Sequence, residues 1–303
     1  MGWSKHPFLT VLIIIGAVGL FLSLIMAMIF GVFPPFSGLS FGKKIGVIPL
    51  KGKIENSIHI LSQLEEFKKD SNIKAIIIRI NSPGGRVGAS QEIYREIRKI
   101  TRSKIVVASM GDLAASGAYY IACAANKIVA NPGTITGSIG VIVEFIQLQD
   151  LLKKIGIGLE VVKSGQFKDM GSPHRQLTQK EKMLIQGVIF DIKNQFVKAV
   201  AKSRHIPVEK VEAIADGRIF SGREAKELGL IDMLGNFRDA VDIAKRMAGI
   251  KGEVNLVYPK KKRGSIFDLL FSNIGRGIFN ILKENLHKDN LAVSYILPEI
   301  NHQ

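Results

Sequence analysis

Ala75-Ile-Ile-Ile-Arg-Ile-Asn-Ser-Pro-Gly-Gly85 reads as a buried strand, Ala75–Ile80, running into a turn at Asn81–Gly85. Its apolar residues are continuous rather than alternating, as in a strand covered on both faces. Outward from it the pattern repeats. Downstream, Gly88–Thr101 reads as a helix, Ile105–Ser109 as a strand and Lys127–Ala130 as another. Upstream, Lys44–Leu50 reads as a strand and Ile58–Lys69 as an amphipathic helix. Val141–Ile155 mixes a short strand with a helix, and Leu159–Val162 is a further strand. Thr178–Lys202 is a long helix, with Thr178 as N-cap and Glu181 completing a capping-box pattern. Strands alternating with helices predict an α/β fold, a mainly parallel sheet flanked by helices. Such sheets bind ligands in loops beyond the strand C-termini. Gly84, Gly85 and Ser116 fall in loops of that kind.

Gly111-Asp-Leu-Ala-Ala-Ser-Gly-Ala-Tyr-Tyr120 sets one hydroxyl, Ser116, among residues almost too small to shield it. Ala115–Ala125 reads as a helix, so Ser116 lies at or near a helix N-terminus, where unpaired N–H groups favour negative charge. Two readings stand. Ser116 is a nucleophile, with the N–H of Gly117 helping to hold an oxyanion, or it is an ordinary N-cap.

The 303-residue chain opens with a stretch, Phe8–Phe33, that carries no formal charge. It is longer than the roughly 20 residues that span a bilayer, and too long for the apolar region of a cleaved signal peptide. An uncleaved anchor is expected. Pro34-Pro35 ends it and starts a linker that runs to about Gly42. Lys5 before the span and Lys43-Lys44 after it give no clear orientation by charge. The rest of the chain is long enough for one well-buried domain. The single cysteine, Cys123, excludes an intramolecular disulfide and reads as a core residue. No Cys/His cluster has zinc spacing, and Asn81-Ser-Pro-Gly-Gly85 lacks the lysine of a P-loop, so no metal or cofactor is expected. The net charge is +16, but its basic residues are dispersed apart from Lys260-Lys-Lys-Arg263, a run that would suit lipid head groups. Nothing resembles a base-stacking platform, and no nucleic-acid partner is expected.

A nucleophilic serine needs a base. Of the six histidines only His174, in Gly171-Ser-Pro-His174, sits in a suitable loop. The alternative is a lysine kept neutral by desolvation, its pKa brought from about 10.4 towards 7–8. Lys163-Ser-Gly-Gln-Phe-Lys168-Asp-Met-Gly-Ser-Pro173 offers two lysines in a Gly-rich loop.

Five motifs occur in order: Asn81-Ser-Pro-Gly-Gly85, the Ala-Ala-Ser-Gly run ending at Gly117, Thr136-Gly-Ser-Ile-Gly-Val141, Lys163-Ser-Gly-x-x-Lys168-Asp and Asp216-Gly-Arg-Ile-Phe-Ser-Gly222. Over roughly residues 43–250 the chain resembles the short, membrane-anchored members of the S49 serine proteases. The resemblance implies a Clp/crotonase-like fold and a Ser–Lys dyad. Ser116 matches the nucleophile and Lys168 the general base, whereas Lys163 only opens the base motif. Ser138 matches a serine that orients the lysine, and Gly85 and Gly117 match the oxyanion donors. Asp112 is read as a local variation before the nucleophile. The family also implies peptide substrates, signal-peptide remnants and unfolded hydrophobic segments among them. It further implies a ring-like homo-oligomer with the dyad assembled from neighbouring protomers.

The expected organisation is a flank at 1–7, a transmembrane anchor at 8–33, a linker at 34–42, the S49-like domain at 43–250 and a tail at 251–303. The expected location is the cell membrane, with one pass and the domain on the extracytoplasmic side. Asp216–Asp232 reads as structural, with Ser221 as an N-cap and Gly229 as a C-cap. Within the tail, Ser265–Leu286 has an apolar face, and it reads as a helix packed on the domain, an interfacial helix or a cover for the active site. The competing functions are a membrane scaffold without activity and a crotonase-like acyl-CoA enzyme.

Overall fold

A computed structural model of the chain describes residues 7–29, 43–260 and 294–296. In chain order the elements are α1 (Pro7–Ile29), β1 (Lys44–Lys51), α2 (Ile58–Lys69), β2 (Ile73–Ser82), β3 (Gly84–Arg86), α3 (Val87–Ile100), β4 (Ile105–Ala115), α4 (Gly117–Ala122), β5 (Lys127–Ala130) and β6 (Ile135–Gly137). There follow α5 (Gln149–Lys154), α6 (Gln179–Arg204), α7 (Val208–Glu212), β7 (Ile219–Ser221), α8 (Gly222–Glu227), β8 (Met233–Leu234), α9 (Phe237–Met247), β9 (Asn255–Val257) and β10 (Ser294–Ile296). Two compact units result, Met1–Gly42 and Lys43–Gln303.

In the first unit the described side chains of α1 are exposed or half-buried. Among the described residues, no helix is long and apolar enough to cross a membrane.

The second unit is built on an eight-stranded sheet in the order β7-β6-β4-β2-β1-β9, with β5 paired to β4 and to β8. All its pairings are parallel except that of β6 with β7. The isoleucine run that opened the sequence reading is β2, between β1 and β4. Successive side chains of a strand point to opposite faces. Ala75 and Ile77 therefore join Ile45, Val47, Val107 and the α9 residues Ala240, Ile243 and Ala244. Ile76, Ile78 and Ile80 meet α2 through Leu64 and Phe67, and α3 through Ile93 and Ile97. Each such side chain, fully buried, contributes about 1.5–3 kcal/mol. The sheet is thus the middle layer of three, and its two faces need different helices.

The caps follow the sequence. Thr178 and Ser221 each form a capping box, with Glu181 and Glu224 respectively. At the end of α8, Gly229 takes φ +75°, its N–H donates to Lys226 at 3.1 Å and the N–H of Leu230 donates to Ala225 at 2.8 Å. This bond pair is the Schellman closure that a left-handed residue permits.

Four expectations need correction. The strand expected to end at Ser109 continues to Ala115. Its first half pairs with β5 and its last three residues with β6, so pairing on both sides overrides the turn signal of Gly111-Asp112. The helix expected over Ala115–Ala125 shrinks to α4, because Ala114 and Ala115 belong to that strand. The strands expected at Leu159–Val162 and within Val141–Ile155 do not form, and only α5 does. Among the described residues no strand lies alongside Leu159–Val162, and a lone strand cannot satisfy its own backbone. Ser265–Leu286 and Lys261–Arg263 lie outside the described residues.

The stretch from Phe145 to the middle of α6 is unlike the rest. Ile146, Leu151, Ile155, Ile157, Leu159, Val162, Met183, Val188 and Phe190 are exposed. The second half of α6 is docked: Phe196, Val197, Val200 and Ala201 are buried, and Arg204 bonds to Asp232 at 2.8 Å and to the Gly229 carbonyl at 3.1 Å.

Candidate active site

Ser116 stands between the last residue of β4 and the first of α4 with φ +54° and ψ −120°. That region favours glycine, and holding another residue in it costs about 1–3 kcal/mol, borne only where the surroundings fix the backbone. Here they do. The Ser116 N–H donates to the Gly137 carbonyl at 2.8 Å, and its carbonyl accepts from the N–H of Tyr120 at 2.9 Å. The residue is 1% exposed, and among the described residues its hydroxyl makes no hydrogen bond. A sharp strand-to-helix turn is the setting in which α/β-hydrolases present a nucleophilic serine. Of the two sequence readings, this geometry does not support the N-cap: the Ser116 side chain makes no capping bond to α4.

Ser138 lies beside it. β6 pairs with the end of β4, Ala115 opposite Gly137, so Ser116 and Ser138 are the residues immediately after that pair. Ser138 has φ +51°, is 5% exposed and donates its N–H to the Arg218 carbonyl at 2.8 Å. Gly137 has φ +79°, and a Cβ there would lie 2.5 Å from Phe220 Cδ2. Thr136 donates its hydroxyl to the Ala114 carbonyl at 2.7 Å and holds the two strands in register.

Gly85 belongs to β3, which packs against α4. One edge of β3 meets Ile54, whose N–H donates to Gly84 at 2.8 Å and whose carbonyl accepts from Arg86 at 2.7 Å. A Cβ on Gly85 would lie 2.1 Å from the Ile54 carbonyl oxygen, so no larger residue fits. The other edge carries β10, antiparallel, with Tyr295 opposite Gly85. Gly117 is the first residue of α4, and a first-turn N–H has no acceptor within its helix.

Lys168 is elsewhere. It is exposed, in the turns between α5 and α6, and its N–H donates to Gly165 at 3.2 Å. Among the described residues it makes no bond to Ser116 or Ser138. Lys163 is occupied: its ammonium donates to Asp169 at 2.6 Å and to the Gln166 carbonyl at 3.2 Å. The chain therefore gathers Ser116, Gly117, Ser138 and Gly85 in one place and leaves Lys168 outside it. Among the described residues no three His, Cys, Asp or Glu side chains gather as a metal-binding set.

The sequence reading missed two features here. One is β3 as a strand with β10 on its edge, because three residues between a proline and a helix carry no strand pattern. The other is an ion cluster around Arg175. Arg175 donates to Asp169 from Nε and Nη2, both at 2.8 Å, and to Glu181 from Nη1 at 2.9 Å and Nη2 at 2.5 Å. Three charges six residues apart, two in a loop and one in the first turn of α6, follow no period that a sequence pattern reveals.

Comparison with known proteins finds that the family model for peptidase family S49 matches residues 98–251, and that for Clp protease residues 43–134. The Synechocystis protein named "Putative protease slr0021" is 44% identical over 210 residues, covering 69% of this chain and 76% of its own length. The chloroplastic serine protease SPPA of Arabidopsis thaliana is 36% identical over 248 residues, 81% of this chain and 36% of its own. Protease 4 of Salmonella typhi is 37% identical over 191 residues, 63% of this chain and 31% of its own.

Proposed function

The chain belongs to peptidase family S49, and from that membership we propose that it is a membrane-anchored serine endopeptidase that works through a Ser116–Lys168 dyad. The observation that carries the proposal is the backbone of Ser116, a non-glycine residue held at φ +54° on a strand-to-helix turn, with a hydroxyl that makes no hydrogen bond among the described residues. Neutral Lys168 takes the proton from Ser116 Oγ as that oxygen attacks a peptide carbonyl. The N–H groups of Gly85 and Gly117 hold the oxyanion. The lysine ammonium returns its proton to the leaving amine. Water then attacks the acyl-enzyme, giving its proton to Lys168, which passes it to Ser116 Oγ as the carboxylic acid product leaves. Ser138 accepts or donates a hydrogen bond that aims the lysine.

Lys168 lies exposed, whereas a lysine that serves as a base needs desolvation, so something outside this chain's own contacts must cover it. A second copy is the occupant we propose. The exposed apolar residues from Ile146 through Phe190 flank Lys168 in sequence, and a face of that kind on a soluble domain marks an interface. A ring of copies would bring Lys168 of one to Ser116 of the next.

The substrate is an extended, apolar peptide. The edge of β3 that carries β10 already accepts an antiparallel strand, and β-strand addition gives affinity through main-chain bonds whatever the sequence bound. Cleaved signal peptides and unfolded hydrophobic segments meet these terms. The anchor we propose rests on the uncharged Phe8–Phe33 and would hold the domain at the membrane surface; its extracytoplasmic side is proposed from the family resemblance, since the flanking charge gives no orientation.

The test is hydrolysis of unfolded proteins and hydrophobic signal peptides by the full chain in detergent, beside Ser116→Ala, Lys168→Ala and Lys163→Ala. Cleavage lost in the first two and largely kept in the third supports the dyad. A folded, oligomeric chain that is inert in every form would point to a scaffold. Tight binding of an acyl-CoA thioester without proteolysis would point to crotonase-like chemistry.

A further inference from the structure

Asp169 follows Lys168 directly, yet its carboxylate is turned to other cations. Arg175 grips it two-pronged and Lys163 adds a third bond. Arg175 also grips Glu181, the capping residue in the first turn of α6. The side chains of Asp169 and Glu181 are 10% and 2% exposed, and that of Arg175 is 25% exposed. Lys168 itself takes no part: among the described residues it makes no ion pair. Resting on the proposed role of Lys168 as base, we infer that Arg175 is a positioning residue, which ties the Lys168 loop to α6 and keeps the Asp169 carboxylate off the Lys168 ammonium.

The electrostatic reason is simple. A carboxylate against an ammonium favours the charged form of both, and a lysine held charged is no base. Three hydrogen bonds from two cations take up most of the acceptor capacity of Asp169 and draw it away from its neighbour. Bidentate guanidinium–carboxylate pairing is also the strongest and most directional hydrogen bonding a protein has, which fixes where the loop points. The direction of the carboxyl shifts agrees. Hydrogen bonds from Arg175, then Lys163, hold Asp169 well below the ordinary range, and Arg175 with the Thr178 backbone brings Glu181 down to about 2. The charged groups facing this point are Lys163, Lys168, Asp169 and Arg175 from the loop, and Lys180 and Glu181 from α6. Lys180 sits over the Phe167 ring at 5.4 Å. His174 precedes Arg175 in the loop and makes no hydrogen bond or ion pair among the described residues. α5 meets the loop through neutral groups: the Leu148 N–H donates to Pro173 at 2.7 Å, and the Gln176 N–H donates to Gln149 Oε1 at 3.2 Å.

The experiment is the pH profile of kcat/KM for the full chain in detergent, with assembly checked by elution. The variants are Arg175→Gln, Arg175→Lys, Asp169→Asn and the double variant Arg175→Gln with Asp169→Asn. Activity needs neutral Lys168, so it rises with pH through that lysine's pKa. In Arg175→Gln the Asp169 carboxylate keeps only Lys163, the acceptor positions that Arg175 held open towards Lys168, and the rising limb should move up by about one pH unit, a roughly tenfold loss near neutrality that alkali restores. Arg175→Lys should fall between. Adding Asp169→Asn should bring the limb back even where kcat stays low. A limb that does not move in Arg175→Gln, with activity lowered equally at every pH, overturns the inference and leaves a purely structural role. If Arg175→Gln fails to assemble, Asp169→Asn decides: its limb should stay or move down, and an upward move overturns the inference. Full activity in Lys168→Ala would instead remove the dyad itself, a failure separate from that of Arg175.

Discussion

The Ser116 N–H donates to the Gly137 carbonyl at 2.8 Å, so the backbone turns at Ser116 and Ser138 are one structure rather than two. Both serines have φ near +50° (+54° and +51°), each directly after the last residue of a paired strand. Two strained residues side by side persist only if the frame around them is rigid. The frame here is β4, paired on both sides, with Thr136 bonded across to Ala114.

The strain gives the first prediction. Ser116→Gly and Ser116→Ala both remove the hydroxyl and should both abolish hydrolysis. They should differ in stability. Glycine reaches φ +54° and ψ −120° without a Cβ penalty, whereas alanine keeps the strain. Relief of about 1–3 kcal/mol is partly offset by about 0.4–1 kcal/mol of extra unfolded-state entropy. Thermal unfolding should therefore rank the glycine variant above the alanine variant by about 1 kcal/mol. The opposite order would mean that Ser116 is not strained.

The second prediction concerns the tail. Ser294–Ile296 occupies the edge of β3 that an extended substrate would need. A strand tethered to the same chain competes at high effective concentration. Deleting residues 290–303 should therefore raise kcat/KM severalfold for peptide substrates, mainly through KM. A synthetic peptide spanning the deleted residues should then inhibit competitively. Unchanged kinetics after the deletion would mean that β10 does not stand in the path of substrate.

Much of this was legible in the sequence. The continuous isoleucines of β2 announced a two-sided sheet, and Thr178–Glu181 announced the start of α6, because both depend on local period and local bonds. Ser116 and Gly85 were legible as motif residues. Their geometry was not. The left-handed turn at Ser116 comes from pairing with β6, and the need for glycine at position 85 comes from the carbonyl of Ile54, contacts that the sequence order does not encode. The false strand at Leu159–Val162 has the same root: β-prone residues become a strand only when another strand lies beside them.

The ion cluster gives the third prediction. Glu181 is brought down to about 2, chiefly by its hydrogen bonds from Arg175 and then from the Thr178 backbone, against about 4.3 for an unfolded chain. A carboxyl depressed by folding adds stability above its unfolded pKa and loses it as pH falls towards the folded value. The advantage of the native chain over Glu181→Gln in urea unfolding should be full at pH 6 and shrink steadily from about pH 4 towards pH 2. An advantage that stays constant over that window would mean that the pair with Arg175 is not made in solution.

The last prediction separates a shared dyad from one completed within a single chain. Ser116→Ala protomers keep Lys168, and Lys168→Ala protomers keep Ser116. If one chain's lysine serves its neighbour's serine, co-assembled mixtures contain junctions in which both residues are intact. Each variant alone should be inert, and subunits mixed under conditions that exchange them should recover activity. At equal amounts and random mixing about a quarter of the junctions combine an intact serine with an intact lysine, so about a quarter of the native rate is expected if junctions act independently. The exposure of Lys168 and its lack of any bond to Ser116 within the chain favour this outcome. Mixtures that exchange subunits, shown by labelled protomers, and still stay inert would require each chain to close its own dyad. The loop carrying Lys168, tied to α6 by the bonds from Arg175 to Glu181, would then have to reach the Ser116 turn of its own protomer.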